Sequence, residues 1–110
     1  MSLQDPVYLV LCTVPEPDAR GLVDRLLEER HIACANLLGP VESRYRWEGK
    51  LETSREILLF MKTRRSALEG LRGRIAALHP YEVPEVLEFH SESGLPAYLA
   101  WVVDSCGADS

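Results

Sequence analysis

The stretch VESRYRWEGKLETSREILLFMKT, residues 41–63, decides the fold. Val41, Ser43, Tyr45 and Trp47 share one parity; Glu42, Arg44, Arg46 and Glu48 share the other. Such a period of two marks a half-buried strand. The Glu48-Gly49-Lys50 step supplies a tight turn, and SREILLFMKT returns as a second strand, apolar on both faces between Ile57 and Met61. A long hairpin in the middle of the chain follows. Gly39 and Pro40 interrupt its first strand, which is therefore an edge strand, or bulged there.

Working outward, VYLVLCTV (7–14) reads as a strand ending at Pro15. The segment after it places Ala19, Leu22, Val23, Leu26 and Leu27 on one helical face. Pro17 and Asp18 suit its first turn. On the other side of the hairpin, SALEGLRGRIAAL (66–78) repeats Leu68, Leu71, Ile75 and Leu78 at helical spacing. Ser66 and Glu69 form a predicted capping box. EVLEFHS (85–91) is a short alternating strand, and SGLPAYLAWVVDS (93–105) a terminal helix with an apolar face through Tyr98, Trp101 and Val102. The order β-α-β-β-α-β plus a closing helix is that of an α+β, ferredoxin-like domain. Right-handed crossovers give an antiparallel sheet in the order 4-1-3-2, with both main helices on one face. One domain spans residues 1–110, with 1–5 and 107–110 as flexible tails.

The composition is that of an ordinary globular chain: 110 residues, 46% hydrophobic and 26% charged. A net charge of −5 argues against nucleic acid as the main partner, since duplex binding relies on basic residues. The longest apolar runs fall far short of a bilayer span, no signal peptide is visible, and the cytoplasm is the expected location. Three cysteines without close spacing (Cys12, Cys34 and Cys106) suggest reduced thiols rather than a disulfide framework or zinc knuckle.

The first and third strands are apolar on both faces, so the sheet face away from the helices needs a cover. A homo-oligomer is expected, with the hairpin carrying Tyr45 and Trp47 across to a neighbour. Topology also sets the end of the first strand beside the start of the fourth. Cys12 lies near that end; His79 and Glu85 flank that start, in the proline-stiffened connector HPYEVPE (79–85). A thiol, an imidazole and a carboxylate converging there form a candidate transition-metal site, suited to copper or zinc. Each has a plainer reading: Cys12 as a small buried hydrophobe, His79 as a helix terminator, Glu85 as a partner of a backbone amide. A Cys-His-Glu nucleophilic triad is disfavoured because TVPEP offers no nest of free amides, and no enzymatic activity is expected.

The stretches LCTVP (11–15), ACANL (33–37), YRWEGKLE (45–52), KT (62–63), HPYEVPE (79–85) and YLAW (98–101) resemble the CutA divalent-cation tolerance proteins, from Val7 to Trp101. The resemblance implies a ferredoxin-like homotrimer held partly by the hairpin, with a role in tolerance of copper and other divalent cations. It places metal ligands on Cys12 and His79, with Glu85 nearby; where some members carry a further histidine, this chain has Leu78. Copper or another divalent cation is the implied bound species, without an organic cofactor. Trp47, Lys62 and Tyr81 are expected to line an intersubunit cleft. The architecture is also similar to that of the PII signalling trimers. The alternative is therefore a regulatory protein that binds a small anionic molecule in the cleft.

Overall fold

The computed structural model describes residues 5–107. It has the expected order: β1 (Val7–Pro15), α1 (Glu16–Glu28), β2 (Cys34–Trp47), β3 (Lys50–Arg64), α2 (Leu68–Leu78), β4 (Val86–His90) and α3 (Pro96–Ser105). The four strands form one antiparallel sheet ordered β2-β3-β1-β4. This is the predicted order, an α+β ferredoxin-like topology.

Val10, Cys12 and Val14 of β1 point to the same side as Ile57, Leu59 and Met61 of β3. On that side they meet Ala19, Leu22, Val23 and Leu26 of α1 and Leu71 and Ile75 of α2, and all of these are buried. Leu27, assigned by periodicity to the same helical face, is instead exposed. α1 ends in the paired bonds of a Schellman motif: Arg30 N–H donates to the Leu27 carbonyl and His31 N–H to that of Leu26. Arg30 takes the left-handed position there, with φ 64°.

The capping box at α2 does not form. A 3-10 turn (Arg65–Ala67) precedes the helix, which starts at Leu68 with no side-chain cap. Ser66 is used otherwise: its hydroxyl accepts from Arg64 Nε, and its N–H donates to the Asp5 carboxylate. Asp5, grouped in the sequence reading with a loose tail, is thus tied down, and Arg64 pairs with it at 2.9 Å. Gly107, at the other expected tail, bonds to Arg30. The remaining tail positions, 1–4 and 108–110, lie outside the described residues.

The hairpin pairs without interruption from Val41↔Glu56 to Trp47↔Lys50. Glu48 and Gly49, at φ 50° and 81°, make the turn, as a type I′ connection requires. A one-residue bulge lies between Leu38 and Val41, at the Gly39-Pro40 step. The arm beyond it gives the molecule its length, 53 × 25 × 22 Å.

The sheet face away from α1 and α2 carries Leu9, Leu11, Leu58 and Phe60 at its centre, with Leu38, Leu87 and Phe89 exposed around them. α3 covers only one end of this face. Its inward side differs from the predicted one: Val102 and Val103 pack on Val7 and Ala33, whereas Tyr98 and Trp101 remain exposed and stack on each other at 5.7 Å.

Candidate functional site

The connector 79–85 is fastened to the end of β1 by His79. Its Nε2–H donates to the Thr13 carbonyl at 2.7 Å, and its Nδ1 accepts the Tyr81 N–H at 3.1 Å. The ring is buried and lies 4.9 Å from that of Tyr81. Tyr81 in turn donates its hydroxyl to Glu56 of β3 at 2.9 Å. Burial first, then this bond and the negative charge of Glu56, push the Tyr81 phenol up to about 12. Across the arm, the Tyr45 and Ser54 hydroxyls bond at 2.6 Å.

These contacts frame a cleft of about 680 Å³ between connector and arm. Tyr45, Trp47 and Tyr81 give it aromatic walls; Glu56, Glu82 and Glu85 give it carboxylates. Arg44 is the one guanidinium in the lining, and it faces Glu42 at 3.6 Å on the exposed side. Glu56 is only 3% exposed.

The sequence reading brought Cys12, His79 and Glu85 to one end of the sheet. The structure puts them there, but not as a set of donors facing one point. Cys12 is fully buried in the helix-facing core, between Val10 and Val14. Burial, followed by the charges of Glu85 and Glu56, pushes its thiol up to about 12, so it stays protonated. Both ring nitrogens of His79 are engaged with the backbone. Glu85 is exposed, at the mouth of the cleft. Among the described residues no group of three His, Cys, Asp or Glu side chains is arranged to hold a metal ion. In this conformation the trio therefore fits a bound metal poorly.

Of the residues expected in a cleft, Trp47 and Tyr81 line this one. Lys62 does not: it sits near the far end of β3, opposite Leu9 and Cys34, with its ammonium on the Asn36 side-chain oxygen. Glu56, Tyr45 and Ser43 line the cleft and were not foreseen as a site. Their signal was parity, since Ser43, Tyr45 and Trp47 alternate onto one face and cross-strand pairing adds Glu56, opposite Val41.

An antiparallel βαββαβ sheet backed by two helices, with a projecting arm and a cleft at its base, defines a ferredoxin-like protein. The particular family is given by comparison. The family described as CutA1 divalent ion tolerance protein matches residues 8–105. The chain is 40% identical over 100 residues to the divalent-cation tolerance protein CutA of Thermus thermophilus, covering 90% of this chain and 97% of that one. It is 46% identical over 92 residues to a CutA homolog of Xenopus laevis, covering 84% of this chain and 58% of the relative. The crystal structure of CutA1 from Oryza sativa superposes with a TM-score of 0.92 at 37% identity, covering 99% of this chain and all of that one. The chain belongs to the CutA1 divalent ion tolerance family. It spans a little over half the length of the Xenopus laevis and Arabidopsis thaliana relatives, 58% and 56%.

Proposed function

We propose that this chain serves divalent-cation tolerance as a non-catalytic cytoplasmic homotrimer that binds a divalent cation, copper(II) foremost, weakly at the cleft end of the sheet. Family membership supports the cation-tolerance role. The apolar sheet face left open by α3 supports self-association, because an exposed patch of Leu38, Leu87 and Phe89 around Leu11 and Phe60 favours burial against a sister copy. The single observation that carries the cation site is the carboxylate of Glu85, exposed at the cleft mouth and near enough to Cys12 to raise its thiol. Cys12 and His79 are the softer donors proposed behind it. Their use costs the bond from His79 to Thr13 and the deprotonation of a buried thiol, so the affinity is low. Copper(II) titration of the full chain by calorimetry tests this. Wild type binds, Glu85→Gln weakens binding, and Cys12→Ala with His79→Ala weakens it further. Unchanged binding in all variants rules the site out.

The PII-like alternative has one observation in its favour, a cleft far larger than a metal ion. Its anionic ligand, however, would face three carboxylates and one guanidinium. Charge thus disfavours an anion there.

A further inference from the structure

One side chain reaches from the sheet to the end of α3. A helix of 10 residues is marginal by itself and depends on docking. The docking here is small: Val102 and Val103, with Leu99 beside them, pack on Val7 and Ala33 in a cluster apart from the main core. The last carbonyls of a helix also need partners from outside it. Arg64, at the end of β3, supplies them. Its Nη1 donates to the Val103 carbonyl at 2.9 Å and to the Cys106 carbonyl at 3.2 Å. Its positive charge suits the negative end of the helix. The same guanidinium turns its Nε–H to the Asp5 carboxylate at 2.9 Å and the Ser66 hydroxyl at 3.0 Å. A guanidinium is a rigid planar fork, so fixing Nε also fixes where Nη1 points. Asp5 is in turn held by the Ser66 N–H at 3.2 Å, and the adjoining Pro6 carbonyl by the Arg65 N–H at 2.9 Å. Each of these contacts lies within one chain.

We infer that α3 is a lid over its end of the sheet, latched by Arg64, and that Asp5 sets the Arg64 fork for that task. Taking Asp5 off Arg64 frees the fork to turn. The lid then opens more often, while the sheet and its main core stay folded. Opening uncovers Val7 and the Cys106 thiol, both buried when α3 is seated. The tie between Gly107 and Arg30 is separate and does not involve Asp5. A contact made or lost at residue 5 is thereby transmitted to α3. The latch needs neither the cation nor the cleft proposed above.

The test is the rate at which iodoacetamide labels Cys106 in the native full chain, read by peptide mass spectrometry at one fixed pH. Cys34→Ser is the background throughout, because Cys34 contacts Tyr98 of α3 and its own labelling would disturb the lid. Cys12, in the main core, reports global unfolding in the same sample. Cys106 is expected to react before Cys12. Asp5→Ala speeds Cys106 by about threefold or more, as for coupled members of one network. Arg64→Ala, which removes both carbonyl contacts, speeds it by about tenfold or more. Cys12 keeps its slow rate relative to Cys106 in each variant, and Asp5→Ala adds nothing once Arg64 is gone. Equal rates for Cys106 and Cys12 in every variant would show that α3 opens only when the whole domain unfolds, and would overturn the latch. So would an Asp5→Ala rate equal to that of the background, one that rises equally at both thiols, or an Asp5→Ala effect that survives undiminished in Arg64→Ala.

Discussion

Replacing His79 tests whether this residue is first a fastener of the connector. In His79→Ala the Thr13 carbonyl loses the donor at 2.7 Å and the Tyr81 N–H loses its acceptor at 3.1 Å. A typical intramolecular hydrogen bond contributes about 1 kcal/mol net. The ring pair with Tyr81, 4.9 Å between centroids, adds about 0.5–1.5 kcal/mol. Together the loss is about 2–4 kcal/mol, toward the lower end where water enters to rescue the orphaned groups. His79→Phe keeps a ring against Tyr81 and loses both hydrogen bonds, so it falls by about 2 kcal/mol. Urea unfolding followed by circular dichroism reads this directly. EDTA must be present, and protein concentrations must be equal, because metal binding and self-association both add to apparent stability. A loss under about 0.5 kcal/mol in His79→Ala, or one that appears only with copper, would refute the fastening role.

Thiol labelling at mild alkaline pH gives a second check: with its thiol pushed up to about 12 by burial, Cys12 resists iodoacetamide until the protein unfolds, whereas the half-exposed Cys34 is modified in the native state, as peptide mass spectrometry will report. Gly39→Ala is destabilising by about 1–3 kcal/mol in the same urea assay, since φ there is +122° and a Cβ would lie 2.7 Å from the Val41 nitrogen. Hydrogen bonds from Arg74, reinforced by Arg25, lower the Glu29 carboxyl from 4.5 to about 2. The stabilising contribution of a depressed carboxylate is complete above its ordinary value and is lost as pH falls through the folded one, so this contribution fades between 4.5 and about 2. NMR titration of the Glu29 carboxyl should show the low midpoint, and Arg74→Ala should move it upward.

The fold was legible because each element carries its own period. The alternation through Tyr45 and Trp47, the helical repeats in 19–26 and 68–75, and the handedness rule together leave one strand order. Where the period says nothing, the reading slipped. α3 is apolar almost all round, so spacing could not separate Val102 and Val103, which face inward, from Tyr98 and Trp101, which do not. β1 is apolar on both faces, so nothing in its pattern fixed Cys12 on the helix-facing side with Val10 and Val14. The capping box failed through long-range competition, since Asp5 and Arg64 occupy Ser66. The bond between Tyr81 and Glu56 joins positions 25 apart in the chain and depends on where the connector folds back, which no local pattern records.

The bulge at Gly39-Pro40 reaches further than its size. Leu38 and Val41 stand opposite Leu58 and Glu56, so even-numbered residues of β2 occupy the open face before the bulge and odd-numbered ones after it. In a strand of regular pleat, Glu42, Arg44 and Arg46 would be turned inward and Tyr45 and Trp47 outward. One surplus residue thus works as a half-twist in a ribbon: flatten the bulge with every residue kept, and the arm shows its charged lining to the hollow and its rings to the solvent, whereas deleting Gly39 or Pro40 restores the regular pleat and leaves both faces as they are.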